Sequence, residues 1–175
     1  MSREIVLDTE TTGLSPATGD RIVEIGCVEL YNHIPTGRHL HLYINPERAM
    51  PEEAFRVHGL SDDFLREKPL FRDVAQSFVD FIGDATLVIH NAPFDMEFLR
   101  RKEGPIGASF DNPVLDTVLL SAVVFGQSEV HSLDALTHRL GITIPQEARH
   151  TALGDTVATA EAFLKMLPAL RAHGL

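Results

Sequence analysis

The sequence predicts an α/β fold: a mixed five-stranded sheet flanked by helices. Three observations predict it. Three strand-like segments lie close together within residues 5–44, joined by short turns, as in an antiparallel meander. Two more follow at Ala85–His90 and Val114–Asp116, each set between helical stretches. The first of these is nearly continuous in apolar residues, which suits a central parallel strand buried on both faces. Three antiparallel strands followed by alternating helix and strand give a sheet whose last two strands run parallel, with helices on both faces.

The first strand, Ile5 to Glu10, has the apolar start Ile5-Val6-Leu7. A turn-rich loop follows from Gly13 to Asp20. Arg21–Tyr31 is the second strand; Glu24 interrupts its apolar run and is expected at an edge or rim. Pro35-Thr36-Gly37 reads as a turn, and Leu40, Leu42 and Ile44 alternate with His39, His41 and Tyr43 in a third strand with one polar face. Pro51-Glu52-Glu53 opens a short helix that His58-Gly59 ends. Ser61-Asp62-Asp63 starts another. Val74, Phe78, Phe81 and Ile82 share one stripe of a helix from Phe71. Asn91 is placed to cap the next helix, with Pro93 in its first turn and an end near Lys102, before Gly104-Pro105. One helix then runs to Phe125, and another, capped by Ser132, from Leu133 to Leu140. The last starts near Thr151, and Pro168 should end or kink it near Leu167.

The 175 residues fit a single domain, 1–175. Hydrophobic residues at 44 % and charged residues at 23 % are ordinary for a globular protein that buries a core. No apolar run approaches the ~20 residues of a membrane-spanning helix, and the N-terminus lacks a secretory pattern. The one cysteine, Cys27, lies in an apolar strand and reads as a core thiol; with the rest it fits a reducing cytoplasm. A formal net charge of −10 argues against a protein that coats nucleic acid through a basic surface. It leaves room for an enzyme that grips a few nucleotides through bound metal.

Asp8 and Glu10 project from one face of the first strand, roughly 6–7 Å apart along it. Carboxylates that close repel, so either water solvates them at a strand end or a divalent cation sits between them. Asp155 flanks the apolar arc of the last helix, where Leu153, Val157, Ala160 and Leu164 form one stripe and Ala152, Phe163, Met166 and Leu170 an adjoining one. A carboxylate turned inward there is paired, hydrogen-bonded or on a metal. Asp95 in a helix's first turn serves either the helix dipole or a site. His150, one of nine histidines, stands five positions before Asp155.

Taken together, Asp8-Thr9-Glu10-Thr11-Thr12-Gly13, His90-Asn91-Ala92-Pro93-Phe94-Asp95, and His150 with Asp155 resemble the DEDD 3′–5′ exonucleases of the DnaQ-like class. The histidine five before the last aspartate marks the histidine subtype. Within the class, Arg21–Gly26, Pro51–Gly59 and Leu87–Leu99 are most similar to the epsilon proofreading subunit of bacterial DNA polymerase III. The last third departs: epsilon sequences usually carry His-Gly-Ala-Leu-Leu-Asp where this chain has His150-Thr151-Ala152-Leu153-Gly154-Asp155. The sequence also ends at Leu175 without the tail by which epsilon grips the polymerase. These departures bear on the polymerase partnership and not on the chemistry.

The resemblance implies a ribonuclease H-like fold and two divalent ions, Mg²⁺ or Mn²⁺. By it, Asp8 bridges both ions, Glu10 and Asp155 complete one site, Asp95 holds the second through water, and His150 is the general base. Thr11, Leu14, His58, Asn91 and Phe94 would contact the terminal nucleotide, with helix capping the alternative for Asn91 and core packing for Leu14. The product would be a nucleoside 5′-monophosphate. Single-stranded or frayed DNA 3′ ends are the favoured substrate, in proofreading or repair; an RNA 3′-end trimmer of the same family is the nearest rival. An idle nucleic-acid-binding module is disfavoured because all five chemical positions are filled. A sugar kinase or ATPase is disfavoured because Glu10 stands where a glycine-rich phosphate turn needs space. His39 and His41 are expected away from the site.

Overall fold

The computed structural model describes residues 2–101, 111–148 and 150–175. Five strands, β1 (Arg3–Thr11), β2 (Ile22–Tyr31), β3 (Ile34–Tyr43), β4 (Thr86–Ile89) and β5 (Val114–Asp116), form one sheet in the order β3-β2-β1-β4-β5. β1 pairs antiparallel with β2, and β2 with β3; β4 runs parallel to both β1 and β5. The expected mixed sheet is therefore present. The helices are α1 (Glu52–His58), α2 (Asp62–Arg66), α3 (Phe71–Ile82), α4 (Ala92–Arg100), α5 (Thr117–Phe125), α6 (Leu133–Arg139) and α7 (Ala152–Ala172). No helix among the described residues is long and apolar enough to cross a membrane. The expected end of α4 near Lys102, with its Gly104-Pro105 stop, lies outside the described residues.

Strand alternation splits the core into two layers. Ile5 and Leu7 of β1 pack with Ile25, Phe78, Ile82, Met96 and Leu99, on the α3 and α4 side. Val6 points the other way, toward Ala160 and Phe163 of α7. A third cluster, Leu136, Ile142, Met166 and Leu170, joins α6 to the far end of α7.

Two local expectations fail. The β2–β3 turn is not at Pro35-Thr36-Gly37. Tyr31 pairs with Ile34, so the turn is the two residues Asn32-His33, with φ of 50° and 65°. Two left-handed residues make the tight hairpin whose twist matches the flanking strands. Pro35 and Gly37 sit inside β3, where the pairing register slips between Val28 and Leu30. Nor does Pro168 end α7, the first of the two effects expected of it: the helix runs on to Ala172. A mid-helix proline costs about 3 kcal/mol, but the turn beyond it buries Leu170 in the α6 cluster, and leucine burial returns about 1.5–3 kcal/mol. The buried face of α7 follows the stripe Ala152, Phe163, Met166, Leu170, whereas Val157 of the other stripe is exposed.

α7 approaches β2 so closely that Gly26 has no room for a side chain. A Cβ there would lie 2.7 Å from the Cα and backbone nitrogen of Leu153. Thr156 Oγ1 donates to Gly26 O at 3.0 Å across the same contact. Because the obstructing atoms are backbone, Gly26→Ala must push α7 off the sheet. We expect it to destabilise the protein by about 1–3 kcal/mol, as overpacking does; a thermal unfolding midpoint equal to wild type would contradict the close packing.

Candidate active site

The sidedness of β1 continues past its apolar half. Asp8 and Glu10 fall on the α7 face, and Thr9 on the α3/α4 face. α7 starts beside β2, and its fourth residue is Asp155. One oxygen each from Asp8, Glu10 and Asp155 lie within 4.8 Å of one another. Asp95, in the first turn of α4, is 2 % exposed and accepts a hydrogen bond from the Thr9 hydroxyl on the opposite face. It stands outside the group of three, yet its charge is the largest electrostatic pressure on Asp8. The four acids thus meet around the end of one strand, three from the α7 side and one from the α4 side.

Burial opposes the ionisation of all four, and for Asp8 and Glu10 the charges of the neighbouring site acids add to it. Asp8 is held well above the usual aspartate range by burial, then by Asp95, Glu10, Asp155 and Glu24. Glu10 is pushed up to about 9 by burial, with Asp155, Glu24 and Asp95 adding. Burial raises Asp95 to about 7 against the hydrogen bonds from Thr9, and raises Asp155 to about 6 against the pull of His150. Among the described residues, no lysine or arginine forms an ion pair with any of the four. Hard oxygen donors crowded without a lysine or arginine between them are the donor set that a divalent cation takes, so the residues fit the metal that the sequence led us to expect.

His150 precedes α7 with φ of 60° and an exposed side chain, and its backbone N–H donates to the Asp155 carboxylate. Beside the acids, Thr11 is buried and its hydroxyl donates to Gly13 O at 2.6 Å. His58, in the last turn of α1, reaches back to Thr11 O through Nε2 at 3.1 Å and accepts the Leu60 N–H on Nδ1. It is therefore neutral, and burial lowers its pKa. Leu14 is 83 % exposed on the loop after β1, which rules out the core role. Phe94 is half-buried against Phe98, with ring centroids 5.3 Å apart.

Asn91 does not cap α4 with its side chain. Its backbone is left-handed, with φ of 63°, and the cap comes from β5: Asp116 accepts from the N–H groups of Asn91 at 3.0 Å and Ala92 at 3.2 Å. The same carboxylate accepts from Val118 N and so also starts α5. Asp116 thus fixes the helix that carries Asp95. The sequence shows it only as an acid at a strand end.

Glu24 is not at a rim. It is 1 % exposed, directly opposite Glu10 in the β1–β2 register. Its Oε1 accepts the backbone N–H of Ala152, the first residue of α7, at 2.9 Å. Its Oε2 takes His41 Nε2 at 2.6 Å, and the Tyr43 hydroxyl donates to the same carboxylate. His41 is accordingly not remote from the site, since it binds a group that adjoins it. The available signal was a lone acid inside an apolar strand run, which has to find partners once buried. The unusual Gly154 is also accounted for. A Cβ there would run into Ala148 O and Thr151 Oγ1, so the loop before α7 packs on that helix's first turn only because residue 154 has no side chain.

Comparison with known proteins agrees with this geometry. The RNase_T family model, described as exonuclease, matches residues 5–163. A DNA polymerase III subunit epsilon-like protein of Rhodobacter capsulatus is 60 % identical over 172 residues, covering 98 % of this chain and 24 % of that protein. The DNA polymerase III subunit epsilon of Rickettsia conorii is 45 % identical over 170 residues, covering 94 % of this chain and 74 % of the relative. This chain therefore spans about a quarter of the first relative and three quarters of the second. Among solved structures, exonuclease X in complex with 5′ overhanging duplex DNA superposes with a TM-score of 0.76 at 22 % identity, covering 95 % of this chain and 92 % of that one, which supports the ribonuclease H-like fold. On the match over residues 5–163, the chain belongs to the exonuclease family, with DNA polymerase III epsilon subunits among its relatives.

Proposed function

We propose that residues 1–175 act as one metal-dependent 3′–5′ exonuclease domain that releases nucleoside 5′-monophosphates from single-stranded or frayed DNA ends. The observation that carries this reading is the convergence of Asp8, Glu10 and Asp155 within 4.8 Å, with Asp95 adjoining. Asp8, Glu10 and Asp155 would hold one divalent ion, and Asp8 with Asp95 a second, Mg²⁺ or Mn²⁺. When bound, such ions activate water and stabilise the attacking and leaving oxygens of phosphodiester cleavage. Exposed at the mouth of the acids, His150 takes the proton from the attacking water. Leu14 and Phe94 offer apolar surface to the terminal base, which any base can stack on. Thr11, His58 and Asn91 line the approach. The names of the relatives support a setting beside a DNA polymerase, with that polymerase as the partner; proofreading is the role we propose there.

The test is degradation of matched DNA and RNA oligonucleotides, with free and paired 3′ ends, in Mg²⁺ and in chelator. We expect shortening from the 3′ end of DNA that chelator abolishes; preferential loss of RNA would replace the substrate, and activity in chelator after metal stripping would sink the mechanism. Asp155→Asn should abolish cleavage with the circular dichroism spectrum unchanged. If Asp155 only stabilised the fold, turnover would persist in a protein that melts earlier. His150→Ala should lower kcat by about 10²–10⁴-fold and leave oligonucleotide affinity near wild type; an unchanged kcat and pH profile would remove His150 from the mechanism.

The raised carboxyls also set a pH dependence in the metal-free protein. A group whose folded pKa exceeds its unfolded value stabilises the fold below the unfolded pKa, and that contribution is lost as pH rises through the folded one. Between pH 7.5 and 8.5 this loss is under way for Glu10, at about 9 when folded, and the raised Asp8 adds in the same direction. The lowered His58 and His90 are neutral throughout that window. The metal-free melting temperature should therefore fall across it, by about 2–4 °C for ~1 kcal/mol. Millimolar Mg²⁺ should raise it more at pH 8.5 than at 7.5. A flat profile would contradict the crowding of buried acids.

A further inference from the structure

The metal-holding role proposed above uses Asp8, Glu10, Asp95 and Asp155. Glu24 is a further carboxylate beside them, itself buried, that this chemistry leaves unused. It is joined at both oxygens: Oε1 to the N–H of Ala152 at 2.9 Å, Oε2 to His41 Nε2 at 2.6 Å, with the Tyr43 hydroxyl donating too. These partners come from opposite sides. Ala152 opens α7 three residues before Asp155, while His41 and Tyr43 belong to the edge strand β3. The chain on the β3 side is itself braced, because Tyr43 packs edge-on against Phe64 of α2 at 4.9 Å, and Lys68 lies over both rings.

Burying a carboxylate next to other carboxylates is costly and needs a return. Thr151 already caps α7 through Gly154 N, so Glu24 is not required merely to start that helix. What Thr151 does not do is tie α7 to the sheet. Thr156 ties α7 to Gly26 O one turn further along; the Ala152 N–H ties the first residue of α7 to the sheet at Glu24, which stands opposite Glu10 in the register. We infer that Glu24 is a positioning residue: it holds the first turn of α7 so that Asp155 meets Asp8 and Glu10 at metal-binding distance, and His41 with Tyr43 lock its carboxylate in that grip. Groups that orient metal ligands in this way typically cost about 10–100-fold in metal affinity when removed.

The inference rests on the proposed metal site, and its test reads metal binding without turnover. Mn²⁺ affinity is measured by calorimetry on the full chain, together with hydrogen exchange at the Ala152 amide. Glu24→Ala and Glu24→Gln both delete the negative charge, but only the amide oxygen of glutamine can still accept the Ala152 N–H. Glu24→Ala should weaken Mn²⁺ binding by about tenfold or more and speed exchange at Ala152, and Glu24→Gln should restore most of both. Equal weakening in the two variants would show that charge alone matters and would overturn the positioning role, as would wild-type affinity in Glu24→Ala. Should Glu24→Ala not fold, the double variant His41→Leu/Tyr43→Phe carries the test. It should weaken Mn²⁺ binding several-fold, and an unchanged affinity would overturn the lock. Wild-type protein that binds Mn²⁺ but does not shorten DNA defeats the proposed activity alone; wild-type protein that binds no Mn²⁺ defeats the metal site and this inference with it.

Discussion

The close approach of α7 to β2 at Gly26 is the contact on which the rest of the site depends. Asp155 is the third acid of the cluster, and it comes from a helix near the end of the chain, not from the sheet. Only where that helix lies almost backbone to backbone on β2 does its first turn reach the end of β1. Gly26 permits the approach, Thr156 bonds across it, and Ala160 with Phe163 extend it as apolar packing against Val6 and Val88.

That packing works against a force of its own making. Burial raises the cost of ionising Asp8 and Glu10, and the acids gathered around them raise it further. The protein tolerates this because two well-packed layers hold the sheet independently of the site. Ile5, Leu7 and Val6 are fully buried in the same strand whose far end carries Asp8 and Glu10. Stability in one half of β1 thus supports an unfavourable arrangement in the other, a common division between a fold and its functional site.

Much of this was legible in the sequence. The alternation of β1 put Asp8 and Glu10 on one face, and the structure brings them together with Asp155. The helix starts at Ser61 and Ser132 were readable because each serine caps through its own side chain, within three residues. Long-range partnerships were not readable. Asn91 looked like a cap, but Asp116, 25 residues on, takes that place. Glu24 looked like a rim acid because its partner Ala152 lies 128 residues away. The Asn32-His33 turn was hidden by the more familiar Pro-Thr-Gly that follows, and Pro168 misled because local propensity yielded to the burial of Leu170.

Gly154 carries a consequence for the wider family. Here the loop leading to His150 nests against the first turn of α7 because nothing projects from residue 154. A relative with leucine at that place cannot adopt this nested path and has to carry its loop farther out. Residue 154 and the loop residues around Ala148 and Thr151 should therefore vary together through evolution, glycine with one loop sequence and leucine with another. The letter at this single position would then sort family members by the route their backbone takes to the histidine.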